Sequence, residues 1–302
     1  MLAAIASDRG DHGASGRRAD RLGPCCRRRW SVLATYSTWS APDAAVPLAR
    51  AVSTVVSAAM RTDSDPQHGG STPNVPSGSD EGLATGGTVP GDHPGIISLL
   101  GVLAYGEISA FYRLVDDARM APTLGDRIAM ASMAAAEMNH FEVLEAALAE
   151  RGRDVLSVTE PFAAALDAYH ASTLPSTWME VLVKTYVADG LAADFYREIA
   201  HSLPDDIAAT VREVLAETGH SEFVVTEVVA RVAASAADKD RLMLWGRRLL
   251  GEAITQAQFV LAQREELTEL VMTASGDFNG IVALFDRMQV RHSERMAILG
   301  LV

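Results

Sequence analysis

Ala136-Glu137-Met138-Asn139-His140-Phe141-Glu142 reads A-E-x-x-H-x-E, and Ala216-Glu217-Thr218-Gly219-His220-Ser221-Glu222 repeats the pattern. On an α-helix, residues three apart lie on one face, one turn from each other. Each Glu/His pair can therefore aim a carboxylate and an imidazole at one point. A helical segment with an acid on its apolar face precedes each copy: Glu107 before the first, Asp189 before the second. A single E-x-x-H is usually a solvated pair. Two copies, each behind a helix bearing an acid, form the ligand set of a di-metal carboxylate centre inside a four-helix bundle. The candidate metal ligands are Glu107, Glu137, His140, Asp189, Glu217 and His220, with no catalytic residue beyond them.

Working outward, the apolar residues keep helical spacing. Leu99, Leu103, Ala110, Phe111 and Leu114 predict a helix over about 95–118, with Glu107 inside the stripe. Met130, Met133, Phe141, Leu144 and Leu148 predict a second over 126–151, interrupted on its core face by Glu137 and His140. Glu142, Glu145 and Glu150 fall off that face. Residues 153–176 read as a long connection with a helical patch from Pro161 to Tyr169. A bundle whose middle helices run parallel needs such a crossover. Helices over 178–201 and 205–234 complete the bundle, and two more follow near 239–272 and 277–299. No strand signal appears, so the expected class is all-α: a four-helix bundle with additional C-terminal helices.

The third-helix acid can be Asp189 or Asp194. Five residues apart on a helix, they point about 140° apart. Glu107 and Glu137 flank Pro122 at equal sequence distance, which sets them level in an antiparallel pair, and Asp189 matches Glu217 about Pro204 better than Asp194 does. The face through Asp189 is mostly apolar, whereas that through Asp194 runs on to Glu198 and His201 and suits solvent. His170 and His201 read as surface or cap positions; Glu252, His292 and Glu294 read as surface positions, with a place behind the ligands or facing substrate the other reading.

The first 92 residues have another character. Runs such as Gln67–Pro73 and Pro76–Asp80 are too polar and small to offset chain entropy by burial. Residues 1–92 are expected to be a disordered extension, with 1–59 open to being untranslated upstream sequence, and 93–302 to form the folded domain. The net charge of −13 belongs wholly to that domain, because residues 1–94 hold nine groups of each sign. Such acidity disfavours a nucleic-acid partner. Arg241, Arg247 and Arg248 form its densest basic cluster and read as solvated surface. The only cysteines, Cys25 and Cys26, are adjacent, leaving neither a disulfide framework nor a Cys-based metal site. A cytoplasmic location fits, and no membrane span is expected.

Four carboxylates and two imidazoles suit two iron ions, with manganese the other metal the donors fit. The order of acids and E-x-x-H pairs, the crossover and the extra C-terminal helices resemble the ferritin-like di-iron carboxylate superfamily. Within it they resemble the MiaE-type tRNA hydroxylases, over about residues 95–300. The resemblance implies a ferritin-like fold and an O2-dependent di-iron hydroxylase, a monooxygenase fed by an external reductase or ferredoxin. It also implies a tRNA substrate, hydroxylated on the isopentenyl group of a modified adenosine. Asp189 stands where that family has Glu. The rival readings are a ferritin-type iron-oxidising or storage protein, which needs a shell-forming homo-oligomer, and a non-catalytic metal-binding bundle. The missing Cys pairs argue against a rubrerythrin-type peroxidase.

Overall fold

The computed structural model describes residues 87–216 and 221–302. Among them are nine α-helices, one 3-10 turn and no strand. The helices are α1 (Gly95–Asp117), α2 (Leu124–Glu150), α3 (Val155–Ser172), α4 (Trp178–Ala200), α5 (Asp205–Val214), α6 (Ser221–Ala234), α7 (Ala236–Gln263), α8 (Glu265–Ser275) and α9 (Phe278–Ile298).

Polar caps set the starts of α2, α3 and α4. Thr123 accepts from the Asp126 amide while Asp126 accepts from the Thr123 amide, a reciprocal box that begins α2. Asp154 and Thr177 cap α3 and α4 in the same sense, each accepting from the amide three residues on. The crossover is thus a full helix that starts at Val155, not a patch from Pro161. The Asp154 cap and the Thr159 hydroxyl, which donates to the Val155 carbonyl at 2.8 Å, carry the helix through the proline.

Chain direction follows from the packing. Leu114 at the end of α1 meets Met130 near the start of α2 and Val181 near the start of α4 in one apolar cluster. So α2 and α4 both run away from the end of α1 and are parallel, as the crossover requires. α3 climbs back beside α1, with Gly101 against Val158 and the Tyr105 hydroxyl donating to Asp167 Oδ1 at 2.8 Å. α7 covers α3 and α4, α8 covers α1, and α9 lies on α4 and α8.

Three boundaries differ from expectation. The helix expected over 205–234 is two: α5 ends at Val214, Ala216 is non-helical, and α6 begins at Ser221. Thr218-Gly219 has poor helix propensity, and Ser221 suits a helix start. The helix expected over 239–272 divides at Arg264 into α7 and α8. Residues 87–92, placed in the extension by composition, pack on the bundle. Val89 is 1% exposed, and its amide donates to the Ser202 carbonyl at 2.8 Å. The expectation for residues 1–86 falls outside the described residues.

α1 with its 3-10 extension, Gly95–Met120, is by length and composition apolar enough to cross a membrane, with a mean hydropathy of 1.5. Here it is a packed helix of the bundle. Leu99, Leu100, Leu103 and Leu114 are fully or almost fully buried against α2, α3 and α8, each contributing about 1.5–3 kcal/mol.

Candidate metal centre

The core does not close completely. A cavity of about 510 Å³ lies between α1 and α2 on one side and α4 on the other, with α3 and α7 in its wall. The small cluster of Leu114, Met130 and Val181 stands apart from the main core.

Glu107, Glu137 and His140 meet on this cavity. One donor atom from each lies within 4.8 Å of the others. His140 Nδ1 is 3.3 Å from Glu107 Oε2 and 3.6 Å from Glu137 Oε2. The i, i+3 spacing on α2 supplies two of these groups, and the antiparallel pairing of α1 with α2 supplies the third.

The three shift one another's protonation. Burial pushes the Glu107 carboxyl well above the usual range, and its hydrogen bond with Glu137 adds to the rise against the pull of His140. Burial acts upward on Glu137 too, but hydrogen bonds with His140 and Glu107 outweigh it and hold this carboxyl low. The Glu107 and Glu137 hydrogen bonds raise His140 to about 10. Glu107 and His140 thus hold their protons more tightly than free groups do. Releasing both leaves two carboxylates and a neutral imidazole, a donor set of net charge −2 that matches one divalent cation.

Asp189 lines the same cavity but stands outside the trio. Arg113 Nη2 donates to its Oδ1 at 3.4 Å, and Arg113 Nη1 donates to Thr185 Oγ1 at 3.1 Å. Protein surrounds Asp189, yet 44% of its side chain remains open, to the cavity rather than to bulk water. Burial pushes its carboxyl up to about 7 against the opposing charge of Arg113. Asp194 turns away from the cavity but not to solvent. It is 3% exposed and paired with Arg295 of α9, with Arg197 at 3.9 Å. The expectation that its face meets water is corrected: α9 covers it.

Glu217 and His220 lie outside the described residues, so the second E-x-x-H pair has no described geometry. The flanking Leu215 and Ala216 line the cavity.

A family model described as "Ferritin-like domain, actinomycetes" matches residues 92–274. The chain belongs to this family. A comparison with curated proteins finds no match. The actinomycete ferritin-like domain therefore spans α1 to α8, and α9 lies beyond the matched region.

Several residues on or near the cavity were not found from sequence. Arg113 sits six residues past Glu107 with no motif to mark it. His170, read as a surface residue, is in the cavity wall, where burial, with Arg113 and Lys184 nearby, pushes its imidazole down to about 3. His292, also read as surface, is a buried residue of α9 with neither ring nitrogen partnered among the described residues. Lys184 is 1% exposed and donates to the Thr173 carbonyl at 2.8 Å. Periodicity gave no means of separating these from ordinary polar positions.

Proposed function

We propose that this ferritin-like domain is a non-haem di-iron oxygenase that hydroxylates an organic substrate. The observation that supports this best is the meeting of Glu107, Glu137 and His140 on a cavity of about 510 Å³, with Asp189 on the same cavity. Glu107, Glu137 and His140 would hold metal, and Asp189, Glu217 and His220 would complete the set, with manganese the alternative ion. When bound, di-iron supplies O2 activation for hydroxylation, with electrons from an external reductase or ferredoxin. The chain's own part is to orient the ligands through the α1–α2 pair and to release the protons that metal displaces from its ligands. Its apolar walls also limit water around the site. Arg113 positions Asp189 and offsets one negative charge.

The cavity also favours an oxygenase over an iron store, since a store needs no apolar chamber for an organic molecule. The finer reading, a prenylated adenosine in tRNA, has the resemblance in its favour and the charge of −13 against it.

Anaerobic loading with Fe(II), followed by metal analysis and O2 consumption, tests the proposal. The expected result is two irons per chain, O2 uptake by the ferrous protein, and at most half the iron in His140→Ala. Full iron in that variant would overturn the site. An unchanged tRNA nucleoside profile in a deletion strain would remove the tRNA version alone.

A further inference from the structure

The cavity face of α4 does not end at Asp189. Ala192, Ala193 and Tyr196 follow at helical spacing, and all of them line the cavity. Protein surrounds the Tyr196 phenol as it surrounds Asp189, yet the residue is only half-buried, so the surface it keeps open faces the cavity. A tyrosine hydroxyl in such a place ordinarily finds a hydrogen-bond partner. Tyr196 meets Phe195 edge to face, with ring centres 5.4 Å apart, but its oxygen has no hydrogen-bond partner among the described residues. Nor does packing seal that oxygen off, as it seals the unpartnered oxygen of Tyr169.

Two contacts set its level. Leu114 meets Val181 in one cluster, and Arg113 donates to Thr185. α1 and α4 are antiparallel, so each step on along α4 matches a step back along α1. Counted from either contact, Glu107 comes level with the turn from Ala188 to Leu191, which contains Asp189. Tyr196 lies two helical turns beyond Asp189, about 10 Å at 1.5 Å per residue. Between the two levels α4 presents Ala192 and Ala193, whose short side chains leave room, and α1 presents Leu103, one turn back from Glu107. Burial, and then the negative charge of Glu107, keep the Tyr196 hydroxyl protonated. It is a donor on the same chamber as the trio.

The surroundings favour an uncharged partner. The guanidiniums on the cavity wall are engaged: Arg113 donates to Asp189 and Thr185, Arg295 to Asp194 and the Gly190 carbonyl, and Arg197 to the Leu215 carbonyl. An anion would meet Glu107 and Asp189 instead. An O–H donor needs an acceptor, and an ammonium group offers none.

We propose that Tyr196 determines specificity by donating a hydrogen bond to an uncharged acceptor oxygen of the substrate, a carbonyl or an ether. The apolar remainder of the molecule lies over Ala192 and Ala193 towards the trio. The consequence for chemistry rests on the metal-centre reading above: the carbons presented to the trio lie on the order of 10 Å from the acceptor oxygen.

The test is calorimetric titration of the full-length protein, before and after anaerobic Fe(II) loading, with three probes of one shape. They are acetophenone, its C=CH2 isostere α-methylstyrene, and benzoate. Acetophenone should bind, and benzoate should bind at least tenfold more weakly. Tyr196→Phe should weaken acetophenone by about tenfold, the size of one hydrogen bond left unmade. The same variant should leave α-methylstyrene within about twofold of wild type and keep the wild-type iron content. Ala192→Leu should weaken both uncharged probes by filling the space between the two levels. Acetophenone that fails to bind, or binds wild type and Tyr196→Phe alike, would overturn the assignment. So would an equal loss of α-methylstyrene in Tyr196→Phe, which marks a structural role, or tighter binding of benzoate. Failure of the metal centre reads differently: the wild type takes up no iron, whatever the probes do.

Discussion

Asp189 and Asp194 share a helix and do different work. Asp189 faces the cavity with Arg113 as its partner, whereas Asp194 is enclosed and paired with Arg295. Asp194→Ala would strand the Arg295 guanidinium, so it should lower unfolding free energy by about 3–5 kcal/mol while leaving iron content intact. Asp189→Ala should lose iron with a smaller stability change. Denaturant melts and metal analysis on the same preparations separate the two, and the reverse pattern would reassign the third-helix acid. Choosing Asp189 was within reach of helical geometry, because depth and angle depend only on sequence spacing. The environment of Asp194 was not, since α9 arrives from a hundred residues further on. Lys184 permits a pH prediction. Burial, aided by Arg113, pushes its ammonium down to about 7 from 10.5. Between these values the unfolded chain binds the extra proton, so stability should rise with pH across pH 7 to 10.5 and gain nothing below it. The slope is at most about 1.4 kcal/mol per pH unit. Comparing Lys184→Met with wild type should remove that rise, and identical pH profiles would show that Lys184 titrates normally in the fold.

Helix identity was largely open to sequence because apolar period and caps are local. α1, α2 and α4 begin and end within about two residues of where stripe, proline and glycine put them. The misread elements are those where a local signal competes with another. Pro161 suggested a helix start, yet Asp154 caps seven residues earlier. The 205–234 stripe suggested one helix, yet α5 ends at Val214 and α6 begins at Ser221. The contact between α1 and α3 gives an element-scale prediction. A Cβ at Gly101 would lie 2.5 Å from Val158 Cγ1 and 2.8 Å from the Val158 carbonyl oxygen. The second neighbour is backbone, so a rotamer change cannot relieve the clash. Gly101→Ala should cost about 1–3 kcal/mol in chemical denaturation. A neutral result would mean that α3 can slide on α1 without loss.

At the scale of the molecule, the proposed ligands tie together helices that the cavity keeps apart. Metal bound only by the folded state should therefore stabilise the whole domain. At about one hundred times Kd the gain is about 2.7 kcal/mol, or roughly 5–10 °C in melting temperature for a domain of this size. Thermal melts with anaerobic Fe(II) or Mn(II), reversed by chelator, check this, and an unmoved transition would leave the trio without metal. The sequence indicated where three of the candidate ligands converge because motif and turn length set them level, but not the size of the cavity, which depends on how far α4 stands from α1 and α2. The apolar character of α1 has a consequence for synthesis. Its cover from α2 follows at once, but α8 comes about 150 residues later, roughly ten to thirty seconds at ribosomal speed. For that interval a segment apolar enough for a lipid bilayer stays partly uncovered, dependent on chaperones until the last helices close over it.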